Sequence, residues 1–438
     1  MAGGGDVVIV PSSREQAARG GRRRRRQTAT CLPLDVVAAI AARSDAATLV
    51  RCAATCKDAR RRIADDPGFL GRLRLRHTDR FLLPLLHGHL TSIRKEYGGS
   101  QLFMVDTTAP DANITRLTKV SFGSGPPGKL EPLDSRDGLI LVCTGEWPHR
   151  ELRVCSPATG RSQTLPPEPP SSPRYGTYVL LVGDGDSSSE VGRPFQVLKA
   201  KLVLSSYNRS ERRLLIRTFS SEQGAWSPRT ENIPTPNLHG DNRWSSLHRR
   251  PLVVGNVVHW LCLTDSWNYV LMLHVGPSAS RVNVTTLPAC FPWDEKAGYL
   301  LATTSAGGNP VVLVADSERI SAWEQSKHTK IWKQQPEVVI ENEAILGTGN
   351  VADWVEDDLR RGYSKFHHAK LEWFAERSGA VLIRVSTNGL LWLDLQSKKI
   401  IRCFSDPRIQ YSTTYYCPYE VDFKSWAPTF NSSTATTF

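Results

Sequence analysis

Hydrophobic positions follow two different spacings in this chain, and the spacing changes near residue 97. Over residues 31–80 the apolar side chains recur every three to four positions, which is typical of amphipathic helices. Over residues 97–427 they alternate with polar residues, or form short apolar runs between turn-forming residues, which is typical of strands. The chain is therefore predicted to be mainly β, with a small N-terminal all-α module.

The N-terminal module is predicted to contain three short helices. The first starts at Pro33, because a first-turn residue needs no N–H. The apolar faces of the first two helices are formed by Val36, Val37, Ile40, Leu49 and Val50. A third helix is expected over about residues 57–64. Three helices this short bury little area by themselves, so we expect a docking module, with a cap on the larger domain as the alternative.

The larger part is predicted to be a β-propeller-like domain of about six irregular blades, with a pair of β-sandwiches as the alternative. Leu-Pro or Pro-rich segments recur after groups of strands, and residues 341–362 fit a loop with a short helix. The predicted strands are 138–143, 151–156, 195–204, 213–219, 252–263, 269–275, 310–316, 319–324, 371–376, 380–386 and 389–395.

Positive charge is concentrated at the N-terminus. Residues 1–80 carry 17 Lys/Arg and 8 Asp/Glu, whereas the remainder carries 38 and 35. This distribution argues against nucleic-acid binding by the β domain. Residues 1–30 and 428–438 are expected to be disordered tails. The run Arg22–Arg26 fits a nuclear-import signal, a phosphate-binding arm or simply a solvated basic tail.

The cysteine content indicates a reducing compartment. Nine cysteines form an odd number and include no Cys-x-x-Cys pair, which fits free thiols in the nucleus or the cytoplasm. The N-terminus lacks the pattern of a secretory signal, and no apolar run approaches the ~20 residues of a membrane span.

The sequence contains no recognisable catalytic or cofactor-binding motif. His87-Gly88-His89 and His367-His368 lack further ligands at metal-binding spacing, and the calcium-like start at Asp184 has no later Glu at the required position. His87-Gly88-His89 is instead predicted to be an exposed helix end or loop. We therefore predict no catalytic residues, no metal and no cofactor.

Tryptophans divide into two groups by their surroundings. Trp260, Trp373 and Trp392 lie inside apolar strands and are predicted to belong to the core. Trp147, Trp244 and Trp267 lie in turn-like segments and are weak candidates for contacts with a partner protein.

The N-terminal module resembles an F-box over about 40 residues. The similarity rests on Leu32-Pro33-Leu34-Asp35 followed by the hydrophobic helix, on Cys56-Lys57, and on Asp66-Pro67-Gly68-Phe69. Two positions depart from the family pattern, since Thr55 replaces a Val and Ala59 replaces a Trp.

The rest of the chain resembles the F-box-associated β domain of plant proteins, especially those of grasses. The similarity rests on segments that include VCSPATGRSQTLPP, VVGNVVHWLC, GLLWLDLQSKKI and YCPYEVDFKSW, in this order behind the F-box-like segment.

This resemblance implies a non-catalytic substrate-recognition subunit of an SCF-type (Skp–cullin–F-box) ubiquitin ligase. Its F-box would dock on a Skp-type adaptor and through it on a cullin, and its β domain would bind a target protein. A second possibility is an F-box-like protein that binds targets without a cullin complex, which the missing Trp at Ala59 suggests. The docking side chains implied are Leu32, Pro33, Val36, Val37, Ile40, Leu49 and Val50.

Overall fold

The structure is a computed structural model, and it describes two parts of the chain. The first comprises two helices and a few neighbouring residues between 32 and 71. The second is most of residues 80–422, apart from short stretches and the longer gaps 95–99, 109–116, 121–129, 146–149, 171–175, 184–188, 205–211, 240–249, 362–368 and 406–415. The predicted tails, the Arg22–Arg26 run and the second predicted helix lie outside the described residues. No helix among the described residues has the length and apolar character needed to cross a membrane.

The strands form six antiparallel sheets, numbered here as blades in chain order and given from the inner to the outer strand. Blade 1 consists of β25 (Tyr416–Glu420), β1 (Leu86–Arg94), β2 (Ser100–Asp106) and β3 (Leu117–Lys119). Blade 2 consists of β4 (Leu130–Arg136), β5 (Leu139–Thr144), β6 (Glu151–Ser156) and β7 (Arg161–Thr164). Blade 3 consists of β8 (Thr177–Val182), β9 (Phe195–Val203), β10 (Arg213–Ser220) and an outer position divided between β11 (Ala225–Trp226) and β12 (Glu231–Pro234).

The remaining three blades each have four strands. Blade 4 consists of β13 (Leu252–Val254), β14 (Val257–Leu263), β15 (Asn268–His274) and β16 (Arg281–Thr286). Blade 5 consists of β17 (Gly298–Thr303), β18 (Pro310–Ala315), β19 (Arg319–Glu324) and β20 (Glu337–Glu341). Blade 6 consists of β21 (Lys370–Ala375), β22 (Ala380–Arg384), β23 (Gly389–Asp394) and β24 (Lys399–Ser405).

The blades form a six-bladed β-propeller, so the propeller prediction is confirmed and the β-sandwich alternative is wrong. Inner strands of neighbouring blades contact each other, including β25 with β4 and β21 with β25. The C-terminal strand β25 pairs with β1 and supplies the inner strand of the first blade. The ring is thus closed by strand pairing between the two ends of the domain. The first strand begins at Leu86, ahead of the change in spacing near residue 97.

Burial falls from the middle of each blade to its rim, which explains the hydrophobic pattern of the strands. All residues of β18 and β22 are buried, because both of their faces pack against neighbouring blades. The outer strands β12 and β16 are mostly exposed or half-buried. Trp260, Trp373 and Trp392 are buried, as predicted from their apolar surroundings.

In blades 2, 4 and 6 a short turn connects the inner strand to the second strand. In blade 2 the turn is Asp137-Gly138, with φ of +48° and +80°, which is the conformation that Asp-Gly favours in two-residue hairpins. A Cβ on Gly138 would approach the backbone N of Asp422 to 3.2 Å, so glycine also permits contact with the end of β25. We call the end of the propeller that carries these turns the hairpin end, and the opposite end the loop end.

The described helices are few. Besides a 3₁₀ turn at Leu83–Leu85, they are α1 (Leu34–Ala41), α2 (Lys57–Ala64), α3 (Asn342–Leu346) and α4 (Val351–Arg360). The pair α3 and α4 lies in the segment predicted as a loop with a short helix. Asp358 of α4 is buried and accepts a hydrogen bond from the N–H of Thr387 at 2.6 Å, which fixes α4 against blade 6.

Candidate functional site

Helix α1 presents an apolar stripe to solvent. Its start is defined by Pro33, whose carbonyl accepts hydrogen bonds from the N–H groups of Val36 and Val37 at 3.0 and 3.1 Å. Leu32, Val36 and Ile40 follow at intervals of four and are 60, 38 and 41% exposed. An exposed stripe of large aliphatic side chains is a feature of docking surfaces, because each side chain gains free energy when a partner covers it.

The other predicted docking residues differ in exposure. Pro33 is exposed and Val37 is half-buried. Leu34, which was not among the predicted docking residues, is 37% exposed and adds to the apolar surface. Leu49 and Val50 lie outside the described residues.

The opposite side of α1 packs against α2 through small side chains. Ala38 and Ala41 of α1 and Ala59 and Ile63 of α2 are buried, and α1 and α2 contact each other. Ala59 is 1% exposed, so the position where the F-box pattern has Trp is an interior one. A small residue there allows the two helices to approach closely, and it removes a large contribution to the core of this module.

Two exposed tryptophans at the loop end of the propeller are both hydrogen-bonded to Thr264. Trp267 is 48% exposed in the turn between β14 and β15, and Trp293 is 39% exposed in the connection between β16 and β17. The indole N–H of Trp293 donates to the carbonyl of Thr264 at 2.9 Å. The backbone N–H of Trp267 donates to the hydroxyl of Thr264 at 3.0 Å. Both aromatic residues are therefore anchored on one threonine.

Hydrogen bonds and ring packing fix the position of the loop that carries Trp293. The Tyr299 hydroxyl donates to the carbonyl of Pro292 at 3.0 Å and accepts from the N–H of Asp294 at 2.8 Å. Phe291 is buried beneath the loop and packs edge-on against Trp323 at 5.3 Å between ring centroids. The aromatic pair is thus preorganised, which reduces the conformational entropy lost on binding a partner.

The sequence identified only one member of this pair. Trp267 was a candidate because it follows a strand in a polar turn, whereas Trp293 was missed. The sequence feature that could have identified Trp293 is the segment Pro292-Trp293-Asp294, in which an aromatic residue lies between two turn-forming residues. This segment follows one of the Leu-Pro segments that recur after groups of strands. Trp147 and Trp244 lie outside the described residues.

The His87-Gly88-His89 segment is part of the core. It lies in strand β1, not at an exposed helix end or loop, and His89 is fully buried with its ring 5.4 Å from that of Phe404. Burial lowers the pKa of His89 to about 3. Asp184 and the His367-His368 pair lie outside the described residues. In the part of the chain that the structure describes, no three His, Cys, Asp or Glu residues are grouped as metal ligands would be.

An ion pair crosses the central channel near the hairpin end. Arg136 of blade 2 donates to both carboxylate oxygens of Glu376 in blade 6, at 2.6 and 3.0 Å. Glu376 also accepts the N–H of Val253 in blade 4 at 2.8 Å, and Arg136 donates to the carbonyl of Leu180 in blade 3. This pair therefore ties four blades together across the axis.

Two buried carboxyl groups flank the ion pair. Burial raises the pKa of Asp134 to about 6, although Arg136, 3.6 Å away, opposes the shift. Burial also raises the pKa of Glu420 in β25 to about 7, against the effect of hydrogen bonds from Ser378 and Arg377. Glu420 holds β25 to blade 6, and Asp134 accepts the N–H of Leu180 at 2.7 Å and so joins blades 2 and 3.

Comparison with known proteins identifies a family. The model of a domain family of unknown function, DUF7595, matches residues 103–431, which leaves the F-box-like segment outside the match. No curated protein is significantly similar to the chain.

Several solved structures match a large part of the chain at low sequence identity and low TM-score, and three of them come from bacteria. TolB from Acinetobacter baumannii is 10% identical, with 76% of this chain and 66% of TolB covered and a TM-score of 0.40. An oligogalacturonate lyase from Vibrio parahaemolyticus is 9% identical, with 71 and 78% covered and a TM-score of 0.34. AztD from Citrobacter koseri in its apo form is 11% identical, with 74 and 84% covered and a TM-score of 0.33. At these values the similarity concerns the fold alone.

Proposed function

The chain belongs to the DUF7595 family, and from its exposed surfaces we propose that it is the substrate-recognition subunit of an SCF-type ubiquitin ligase. In this proposal α1 docks on a Skp-type adaptor, which links the chain to a cullin. The propeller binds a target protein and brings it close to the ubiquitin-charged enzyme. The chain itself performs no catalysis, since holding two reactants close together accelerates a reaction without a reactive group of its own. The complex would act in the nucleus, the cytoplasm or both.

The observation that carries this proposal is the exposed apolar stripe of α1. Leu32, Val36 and Ile40 are exposed, whereas the residues that α1 buries are Ala38 and Ala41. Large aliphatic side chains at helical spacing suit insertion into a groove of a partner protein. The same residues carry the resemblance to the F-box.

The surface proposed for target binding is the aromatic pair of Trp267 and Trp293. Tryptophan is enriched among residues that dominate binding energy in protein interfaces, because it buries a large area with little loss of side-chain entropy. The hydrogen bonds to Thr264 keep both residues in place before a partner arrives.

An affinity purification with the proteasome inhibited tests both surfaces at once. The wild-type chain is expected to capture a Skp-type adaptor, a cullin and a set of target proteins. The double variant Leu32→Ala/Pro33→Ala should lose the adaptor and the cullin but retain the targets. The double variant Trp267→Ala/Trp293→Ala should lose the targets but retain the adaptor.

Each alternative predicts a different result in this experiment. If a folded wild-type chain captures targets without any cullin, the alternative is supported, namely an F-box-like protein that binds targets outside a ligase. The small interior residue Ala59 favours this alternative. If both double variants capture the same proteins as the wild type, neither surface has the proposed role.

A further inference from the structure

A cavity of about 760 Å³ opens at the hairpin end of the propeller. It is lined by the inner hairpins of several blades and by residues just before β1, and its volume falls within the range of about 300–1,000 Å³ that is typical of ligand pockets. Its apolar wall includes Leu82, Leu85, Leu181, Pro194, Val253 and Val254.

The Arg136–Glu376 ion pair, which crosses the channel, also lines this cavity. Because the pair joins blades 2 and 6 and is hydrogen-bonded to blades 3 and 4, it blocks passage along the axis. The cavity is consequently blind, and it suits a small molecule or the end of a chain more than a chain that passes through.

Most of the charge in the cavity is already compensated. Asp422 pairs with Arg193 at 3.1 Å, and Asp137 pairs with the Nε of Arg377 at 3.2 Å. Arg193 also donates to the carbonyl of Asp137 at 2.8 Å, which fixes its guanidinium against the wall. The carboxylates of Asp422 and Asp137 therefore already form ion pairs with arginines of the protein itself.

The guanidinium groups of Arg80 and Arg377 have N–H donors that a ligand can use. Arg80 is exposed and has no hydrogen-bond or ion-pair partner among the described residues, and the two Nη atoms of Arg377 also have none there. The two residues are neighbours, because the N–H of Leu82 donates to the carbonyl of Arg377 at 2.8 Å. Both line the cavity.

The charge balance favours a ligand with a single negative charge. Four arginines line the cavity, and three of the four lining carboxylates are committed to ion pairs. The fourth, Glu222, is an exposed residue in the turn between β10 and β11. The lining is thus neutral overall, with Arg80 and Glu222 as its two members outside the ion pairs, and the single positive charge of Arg80 matches a carboxylate better than a dianionic phosphate.

We propose that this cavity binds a carboxylate group attached to an apolar substituent, with Arg80 and Arg377 as donors to the carboxylate. The ligand is either a small apolar organic acid or the free C-terminus of a protein that ends in an apolar residue. The second source rests on the proposed function in target recognition, whereas the first is independent of it. The apolar wall of the cavity receives the substituent.

Equilibrium dialysis of the purified full-length chain, without any adaptor, tests this proposal. The probes are N-acetylated tetrapeptides that end in Leu, Val or Phe with a free carboxylate, the same peptides as C-terminal amides, hexanoate, benzoate and inorganic phosphate. Retention of the acids but not of the amides or phosphate is expected. Retention of the peptide acids alone would indicate a protein C-terminus as the ligand. Retention of hexanoate or benzoate would indicate a small organic acid.

Variants identify the donors. Arg80→Gln should weaken binding of the retained acid about tenfold, which corresponds to the loss of one charge-assisted contact, and Arg80→Lys should restore part of the affinity. Arg80→Gln/Arg377→Gln should abolish binding. Arg319→Gln, an exposed arginine at the loop end, is the matched control and should bind like the wild type.

Several results would overturn the proposal. These are retention of none of the probes, equal retention of acids and amides, preferential retention of phosphate, and unchanged binding by Arg80→Gln. Because Arg80 is exposed and makes no contact in the described structure, its substitution should leave the melting temperature unchanged, so a loss of binding reports on the site itself. Since no adaptor is present, failure here leaves the docking of α1 untouched.

Discussion

Helix α1 and strand β18 are both rich in large apolar residues, yet the structure uses them in opposite ways. Every residue of β18 is buried between neighbouring blades, whereas α1 buries only its alanines and exposes Leu34, Val36 and Ile40. The difference lies in what surrounds them. A propeller blade covers both faces of its middle strands, but a short helix packed on another short helix covers one side only. Apolar residues without a core to enter indicate a surface that a partner covers.

The largest expected effect comes from matched leucines in the two regions. Leu313→Ala in β18 should lower the free energy of unfolding by about 3–5 kcal/mol, because it leaves a cavity in a fully buried position. Leu34→Ala in α1 should change the unfolding of the propeller by less than about 0.5 kcal/mol. Urea denaturation followed by tryptophan fluorescence measures both, and similar losses in the two variants would contradict the division between core and docking surface.

The channel ion pair should have the next largest effect. Glu376→Met leaves the Arg136 guanidinium, whose side chain is 10% exposed, without its partner, and it should cost about 3 kcal/mol of stability. The double variant Arg136→Met/Glu376→Met should recover part of this loss, because neither partner of the ion pair is left unpaired, although Asp134 loses the cation 3.6 Å away that opposes the rise in its pKa. The same denaturation experiment gives the coupling energy, and additive losses in the double variant would show that the two side chains act independently.

The pH dependence of stability should report on Glu420 in the closing strand. Burial raises its pKa to about 7 in the folded chain from its usual value of 4.5. The folded state therefore binds the proton more tightly, and this contribution to stability is fully present below pH 4.5 and lost as pH rises through 7. Glu420→Gln should remove this slope, which amounts to about 3 kcal/mol over that interval, since one pKa unit corresponds to about 1.4 kcal/mol.

Other groups titrate nearby, so the informative quantity is the difference between Glu420→Gln and the wild type at each pH. Glutamine keeps the acceptor for the N–H and hydroxyl of Ser378, at 2.6 and 2.5 Å in the wild type, which limits structural disturbance. A pH-independent difference in melting temperature would mean that Glu420 does not change protonation between the folded and unfolded states.

The smallest effect is expected at His89. Neither of its ring nitrogens has a hydrogen-bond partner among the described residues, and the ring packs against Trp392 and Phe404. His89→Phe should raise stability by about 1 kcal/mol at pH 7, since an unpaired buried polar group is removed. The gain should grow as pH falls below 6.5, because the unfolded chain then protonates the histidine and the folded chain, with its pKa of about 3, does not. A loss of stability would indicate that His89 makes a hydrogen bond in solution.

The sequence predicted the parts of the fold that depend on local patterns. Short apolar runs broken by turns indicated the propeller, and buried tryptophans such as Trp392 were recognisable because their strand neighbours are also apolar. Closure of the ring by β25 could not be read from the chain, because a pairing between residues about 330 positions apart leaves no local signal. His89 was misjudged, since a histidine in a strand offers no local indication of what packs above it.

The surfaces were less predictable than the core. Leu32, Val36 and Ile40 were found because helical spacing and the F-box resemblance agree, and Trp267 because of its turn. Trp293 was missed because its relation to Trp267 depends on the fold, in which both residues hydrogen-bond to Thr264. The cavity depends on Arg80 and Arg377, nearly 300 positions apart in the sequence, which the fold brings together.

The central claim is that α1 docks on a Skp-type adaptor, and calorimetric titration of purified adaptor into the chain tests it most directly. Saturable binding is predicted for the wild type, and Val36→Glu/Ile40→Glu should abolish it while the propeller melts at an unchanged temperature. Ile331→Glu, which places one such charge on an apolar side chain 65% exposed in the propeller, should bind like the wild type. Equal affinity of the α1 variant and the wild type, or no binding by either, would contradict the account.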